Sequence, residues 1–197
     1  SLRSRGLGDV YKRQVYYCTR AFVDYIINSE EGHIVNTSSI NGFWASLGGT
    51  PHTSYSAAKF AVKGFSEALI DDLRVNAPHV DVSVVMPGHI GTSIAENTGK
   101  IMGGIKTEED LEKVKENMIK MGMPVHNFTP EQIKQQIKEN AEAFKNNAPT
   151  TSAEAADVIL SAVKKKQWRI LVGDDAKAID EWAVSYTHLR AHETSSY

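Results

Sequence analysis

His33-Ile-Val-Asn-Thr-Ser-Ser39 and, after a loop, Tyr55-Ser-Ala-Ala-Lys59 decide the fold and suggest the chemistry. The first stretch is an apolar run between Gly32 and Gly42 that reads as a buried strand ending in hydroxyls. The second opens a helical stretch, where a four-residue offset stacks Tyr55 and Lys59 on one face. A free tyrosine hydroxyl, with a pKa of about 10, is a poor acid or base near neutrality. An ammonium beside it favours the phenolate and lowers that value. The phenol can then exchange a proton with a carbonyl or alcohol oxygen, and Ser39 on the neighbouring strand end can hold the same oxygen. Each piece alone is weak, because Tyr-x-x-x-Lys arises readily among seven tyrosines and Ser-Ser after a strand is commonly a turn or cap. Their order is what points to C–O redox.

The next elements fit. Val80-Asp-Val-Ser-Val-Val-Met86 is a β-branched run suited to a strand buried on both faces of a parallel sheet. It runs into Pro87-Gly88-His-Ile90-Gly-Thr92. Ligands of open α/β sheets sit beyond the carboxyl ends of the strands, where Ser39 and Pro87-Gly88 both fall.

Asn36-Thr-Ser-Ser39-Ile-Asn-Gly42, Tyr55-Ser-Ala-Ala-Lys59-Phe-Ala-Val-Lys-Gly64 and Pro87-Gly88-His-Ile-Gly-Thr92 resemble the short-chain dehydrogenase/reductase family of NAD(P)-dependent oxidoreductases. The resemblance runs from about Thr19 to Trp182 and is strongest from His33 to Thr92. It implies an α/β fold: a partial, Rossmann-like, doubly wound parallel sheet lacking its N-terminal strands and Gly-rich turn. By the same resemblance Tyr55 is the catalytic acid/base, Ser39 orients the substrate oxygen, and Lys59 lowers the tyrosine pKa and holds the nicotinamide ribose. Tyr55, Lys59, Pro87, Gly88, Ile90 and Thr92 would contact NAD or NADP, with Thr92 near the carboxamide. Sixteen positions separate Ser39 from Tyr55, a few more than the family usually has, the extra length lying in Leu47-Gly-Gly-Thr-Pro51. The alternative, a non-catalytic dinucleotide-binding sensor or scaffold, has no need of an activated phenol. A serine hydrolase fits less well, because Ser39 lacks the Gly-x-Ser-x-Gly elbow.

The two ends read differently. Asp9-Val-Tyr-Lys-Arg-Gln14 is what GAT GTG TAT AAG AGA CAG encodes, and Val184-Ser-Tyr-Thr-His-Leu189 is what GTC TCT TAT ACA CAT CT(N) encodes. The second string lies within the reverse complement of the first, extended at its start by one A. Residues 1–14 and 184–197 are therefore expected to be translated sequencing adapter, with at most accidental secondary structure. Residues 15–183 would then be the C-terminal part of a single oxidoreductase domain. The flank 1–14 carries Arg3, Arg5, Lys12 and Arg13 against Asp9, and 184–197 carries Arg190 against Glu193. With the whole chain at −2, residues 15–183 hold a net −5, with no basic face for nucleic acid. Apolar stretches are too short for a membrane span, and a lone Cys18 suits a reducing, cytoplasmic setting. The family's Gly-rich phosphate turn, its cofactor-selecting residue and its helix asparagine, whose place falls near Tyr11, are expected to lie outside the genuine segment. Gly6-Leu-Gly8 has no strand before it.

Around this centre, Val15–Ile27 reads as the tail of a helix with Cys18, Phe22, Val23, Ile26 and Ile27 as its apolar stripe. Tyr55–Asn76 is a second helix, with Ala58, Val62, Phe65, Leu69 and Leu73 buried, ended by Ala77-Pro78. The resemblance implies that this helix packs against its mate in a homodimer or homotetramer. Residues 94–149 turn polar and helical and are expected to form a substrate lid. Capping boxes start helices at Thr107 and Thr129, and stripes run through Leu111, Val114, Met118 and Met121, and through Ile133, Ile137 and Phe144. Phe43, Trp44, Met102 and Met121 suggest a moderately sized apolar alcohol or carbonyl substrate. A helix capped by Thr151 and Glu154 carries Ala155, Val158, Ile159, Ala162 and Val163. Trp168–Gly173 is a last strand, and 175–182 a short helix. His33, His52, His79, His89 and His126 are dispersed without metal-ligand spacing, so no metal is expected.

Overall fold

The computed structural model describes residues 4–45, 53–101 and 104–183. In chain order these form α1 (Ser4–Ile27), β1 (Gly32–Thr37), a 3-10 turn (Ile40–Gly42), α2 (Thr53–Asn76), β2 (Val80–Pro87), β3 (Ile90–Gly91), α3 (Ile94–Ile101) and α4 (Glu108–Lys120). There follow α5 (Pro130–Asn146), β4 (Thr150–Thr151), α6 (Ser152–Lys164) and β5 (Arg169–Val172), then α7 over residues 174–183. They divide into two units, one of Ser1–His89 with Ala153–Tyr197, the other of Ile90–Ser152.

In the first unit β1, β2 and β5 make a parallel sheet in the order β1-β2-β5. Gly32 to Thr37 pair with Val80 to Val85, and Val84 to Pro87 with Arg169 to Val172. The central strand is buried on both faces, as a parallel strand between neighbours must be. β1 differs: Ile34 and Asn36 are buried, whereas Val35 and Thr37 on the other face are exposed. Ile34, Val80 and Val82 pack with Leu69, Leu73 and Ala77 of the α2 end, and Val23, Ile26 and Ile27 of α1 close the cluster. A polar relay crosses the same sheet. Ser83 Oγ donates its one proton to the Gln167 carbonyl at 2.6 Å, so it accepts from His33 Nε2 at 2.7 Å. Burial is the main influence lowering the His33 pKa, with Asp81 opposing and Lys166 adding to it.

The α2 stripe behaves as expected, with Ala58, Val62, Leu69 and Leu73 buried. That of α1 is narrower. Cys18 is exposed and Phe22 is 59 % accessible, so only its C-terminal Val23, Ile26 and Ile27 reach the core. The helix also begins at Ser4, eleven residues before the expected start of the genuine segment. Residues 184–197 and Met102 lie outside the described residues. In α6 Ala155 and Ala162 are buried and Ile159 and Val163 half-buried, so of the expected stripe only Val158 is exposed.

The second unit has its own core of Leu111, Met118, Val125 and Ile133. Both capping boxes are present. Thr107 Oγ1 accepts from the Asp110 N–H at 3.1 Å while the Asp110 carboxylate accepts from the Thr107 N–H at 3.2 Å. Thr129 and Gln132 exchange the same pair of bonds, with Pro130 at the first helical position. Met121 departs from its predicted stripe: it is the C-cap residue of α4 and 62 % accessible. Phe144 is likewise exposed. A cavity of about 870 Å³ lies between α3 and α5, with Ile105, Val114 and Ile137 beside Lys100, Lys134 and Lys145. The parallel pair β3–β4 was not expected, because two residues are too few to show a period.

Candidate active site

The carboxyl end of β1 and the first turns of α2 are bound to one another by two hydrogen bonds. Lys59 Nζ donates to the Thr37 carbonyl at 3.1 Å, and Ser38 Oγ donates to the Lys59 carbonyl at 2.7 Å. Between them sits Gly42, where a Cβ would overlap Ser38 Oγ and approach the Lys59 carbonyl to 2.9 Å. Only glycine lets the 3-10 turn and α2 come this close. Helix, strand end and turn are thus locked as a unit before any ligand arrives.

On this frame Lys59 is buried, with its Nζ over the Tyr55 ring at 5.6 Å from the centroid. Burial disfavours the ammonium and lowers the Lys59 pKa. The Thr37 carbonyl and the ring face both favour the charge, in the opposite sense. Tyr55 itself is half-buried, one helical turn before Lys59. Tyr55 and Lys59 are therefore brought together as the i, i+4 spacing predicts.

Ser39, also buried, caps the 3-10 turn in extended conformation. Its Oγ accepts from the Asn41 N–H at 3.2 Å and donates to Asn41 Oδ1 at a long 3.4 Å. So weak a hold leaves the Ser39 proton available for a better acceptor. Asn41 is the site residue that sequence reasoning missed. Its Nδ2 is buried with no hydrogen-bond partner among the described residues, a condition worth about 1–3 kcal/mol against folding. An orphaned donor beside Ser39 suits a polar ligand atom. The nearest signal in the sequence was an asparagine two residues after a serine, a common turn pattern.

Pro87 and Gly88 end β2 in the first unit, and the Gly88 N–H donates to the Val172 carbonyl at 2.9 Å. Ile90 and Thr92 belong to the second unit, where Ile90 pairs with Thr150 and the Thr92 N–H donates to the Ile90 carbonyl at 2.8 Å. Phe43 and Trp44, two of the side chains that suggested an apolar substrate, directly follow the 3-10 turn in the first unit. No group of three or more His, Cys, Asp or Glu among the described residues is arranged to hold a metal.

Comparison with known proteins follows the same lines. The family model for short chain dehydrogenase matches residues 10–102. SadH of Mycobacterium tuberculosis is 36 % identical over 163 residues, covering 82 % of this chain and 47 % of its own. The chain thus spans about half the length of that curated relative. A short-chain dehydrogenase/reductase from Burkholderia phymatum, solved with NAD, superposes with a TM-score of 0.53 at 20 % identity, covering 90 % of this chain and 53 % of its own. A short-chain dehydrogenase from Burkholderia cenocepacia, solved with NADP, gives 0.55 at 22 % identity, with 96 % and 60 % covered.

Proposed function

The chain belongs to the short-chain dehydrogenase/reductase family, and we propose that the protein it forms part of interconverts an alcohol and a carbonyl by hydride transfer. The observation that carries this reading is the buried Lys59, held between the Thr37 carbonyl and the Tyr55 ring. A lysine is seldom buried without a purpose, since its charge costs free energy there. Beside a phenol it lowers the pKa of the one group able to move a proton.

In the reductive direction Tyr55 gives its hydroxyl proton to the substrate oxygen. Ser39 donates a hydrogen bond to that oxygen, strongest as negative charge develops on it. Asn41 Nδ2 is a further donor on the same turn. A nicotinamide dinucleotide, when bound, would supply the hydride that reduces the carbonyl carbon. The residues present fit such a group. Lys59 would hold the ribose, and the turn at Pro87 and Gly88 would line the ring. Relatives solved with NAD and with NADP support either cofactor.

The substrate is a small alcohol or carbonyl compound. A homodimer or homotetramer is the assembly that the family resemblance implies. No described helix is long and apolar enough to cross a membrane.

The test is to supply the full-length protein with NADH or NADPH and a panel of ketones and aldehydes. Carbonyl-dependent cofactor oxidation, reduced about a hundredfold or more in Ser39→Ala, is the expected result. Tight dinucleotide binding with no turnover of any carbonyl would favour the sensor or scaffold reading instead.

A further inference from the structure

The geometry points to Asp175 as a positioning residue for the turn after β2, an inference that rests on the reading of that turn as the nicotinamide wall. Asp175 is the second residue of α7, three positions beyond the end of β5. One oxygen, Oδ1, stays local and accepts from the free Ala176 N–H of the first helical turn at 2.9 Å. The other leaves the helix. Asp175 Oδ2 accepts from the His89 N–H at 2.6 Å, a contact spanning 86 positions of chain. A bond of this length to an ionised acceptor belongs to the strong class.

Gly88 shows how close the approach is. A Cβ there would overlap Cγ and both oxygens of the Asp175 carboxylate. The preceding Gly88 N–H is taken by the Val172 carbonyl at 2.9 Å. Two successive donors of the turn are therefore held, one by the end of β5 and one by the first residues of α7. A side chain at position 88 would have to push the Asp175 carboxylate aside, so glycine is favoured there by this contact rather than by an unusual backbone angle. Asp175 thus sets where the backbone of Pro87, Gly88 and His89 lies, and so the shape of the wall it offers a flat ring.

A plain helix cap would affect stability alone, whereas a positioning residue also affects the dinucleotide. The full-length protein is compared with Asp175→Asn, Asp175→Ala and Gly88→Ala by titration with whichever of NADH and NADPH the unaltered protein binds. Asn matches Asp in shape but turns one acceptor into a donor facing an N–H. The expected result is a dinucleotide Kd raised about tenfold in Asp175→Asn, the scale of a lost charge-assisted hydrogen bond. The turnover rate falls and the KM for the carbonyl substrate is unchanged. Gly88→Ala should reproduce that profile, and Gly88→Ala with Asp175→Ala should be no worse than the worse single variant, since both break one contact. If Asp175→Ala does not fold, the isosteric Asp175→Asn carries the comparison. A lower urea midpoint with unchanged Kd and turnover would overturn the inference, as would additive losses in the double variant. Absence of dinucleotide binding by the unaltered protein would instead sink the reading of the turn on which it rests.

Discussion

Lys59 is the residue on which stability and chemistry make opposite demands. Its pKa is lowered by burial, so between that value and the ordinary one near 10.4 the unfolded chain binds more protons than the folded one. Stability contributed at this position therefore rises as pH rises through that window, and the cost of burying the charge is fully present below it. Urea unfolding at mildly and strongly alkaline pH should show the native chain gaining on Lys59→Met over this interval. Parallel pH profiles would contradict the burial assigned to Lys59. In the proposed chemistry the same substitution raises the pH at which alcohol oxidation becomes fast, because the phenol loses its cationic neighbour. It also weakens dinucleotide binding. A pH–rate profile unchanged in Lys59→Met would remove Lys59 from the mechanism. The meeting of Tyr55 and Lys59 was legible because a four-residue helical offset is local, whereas the roles given to Ser39, Tyr55 and Lys59 come from the resemblance. Asn41 was not legible, because its orphaned amide is a fact of packing. Asp175 was hidden for a different reason: its partner lies 86 positions away.

At the level of elements, α2 does two tasks with one amphipathic pattern. Its first turns carry Tyr55 and Lys59, and its last turns carry Leu69 and Leu73 into the sheet core. Leu73 is 2 % accessible and sits among Ile34, Val80 and Val82. Leu73→Ala should destabilise the folded protein by about 2–5 kcal/mol, measured by chemical unfolding, with the Lys59–Thr37 contact intact at the other end of the helix. A loss below about 1 kcal/mol would mean that this cluster is not the core holding α2 to β1. The strands β1, β2 and β5 were readable to within two residues, because β-branched runs bounded by glycine and proline have few other outcomes. The capping boxes at Thr107 and Thr129 were readable for the same local reason. Helix stripes were less so. Periodicity finds the apolar face of α1, and only tertiary packing decides that Val23 is covered while Phe22 is not.

At the scale of the whole molecule, the exposed faces bear on what the chain can do by itself. Val35 on β1 is 40 % accessible, where a parallel sheet ordinarily has both faces covered. Tyr17, Phe22, Tyr25 and Leu160 are each more than half accessible. At about 25 cal/mol per Å², several hundred Å² of uncovered apolar surface amount to several kcal/mol, comparable with the stability of a domain. The isolated chain is therefore expected to bind a hydrophobic dye and to show no micromolar affinity for NADH or NADPH by nicotinamide fluorescence. Micromolar binding by a cooperatively folded monomer would show that these surfaces and the described site are sufficient alone. The full-length protein is where the central claim is decided. Wild-type and Tyr55→Phe forms should be compared for carbonyl reduction and, separately, for dinucleotide affinity. The account predicts turnover lowered by about 10²–10⁴ or more, the scale of general acid–base catalysis, with the dinucleotide Kd nearly unchanged because the ring remains over Lys59. Near-native turnover in Tyr55→Phe would contradict it.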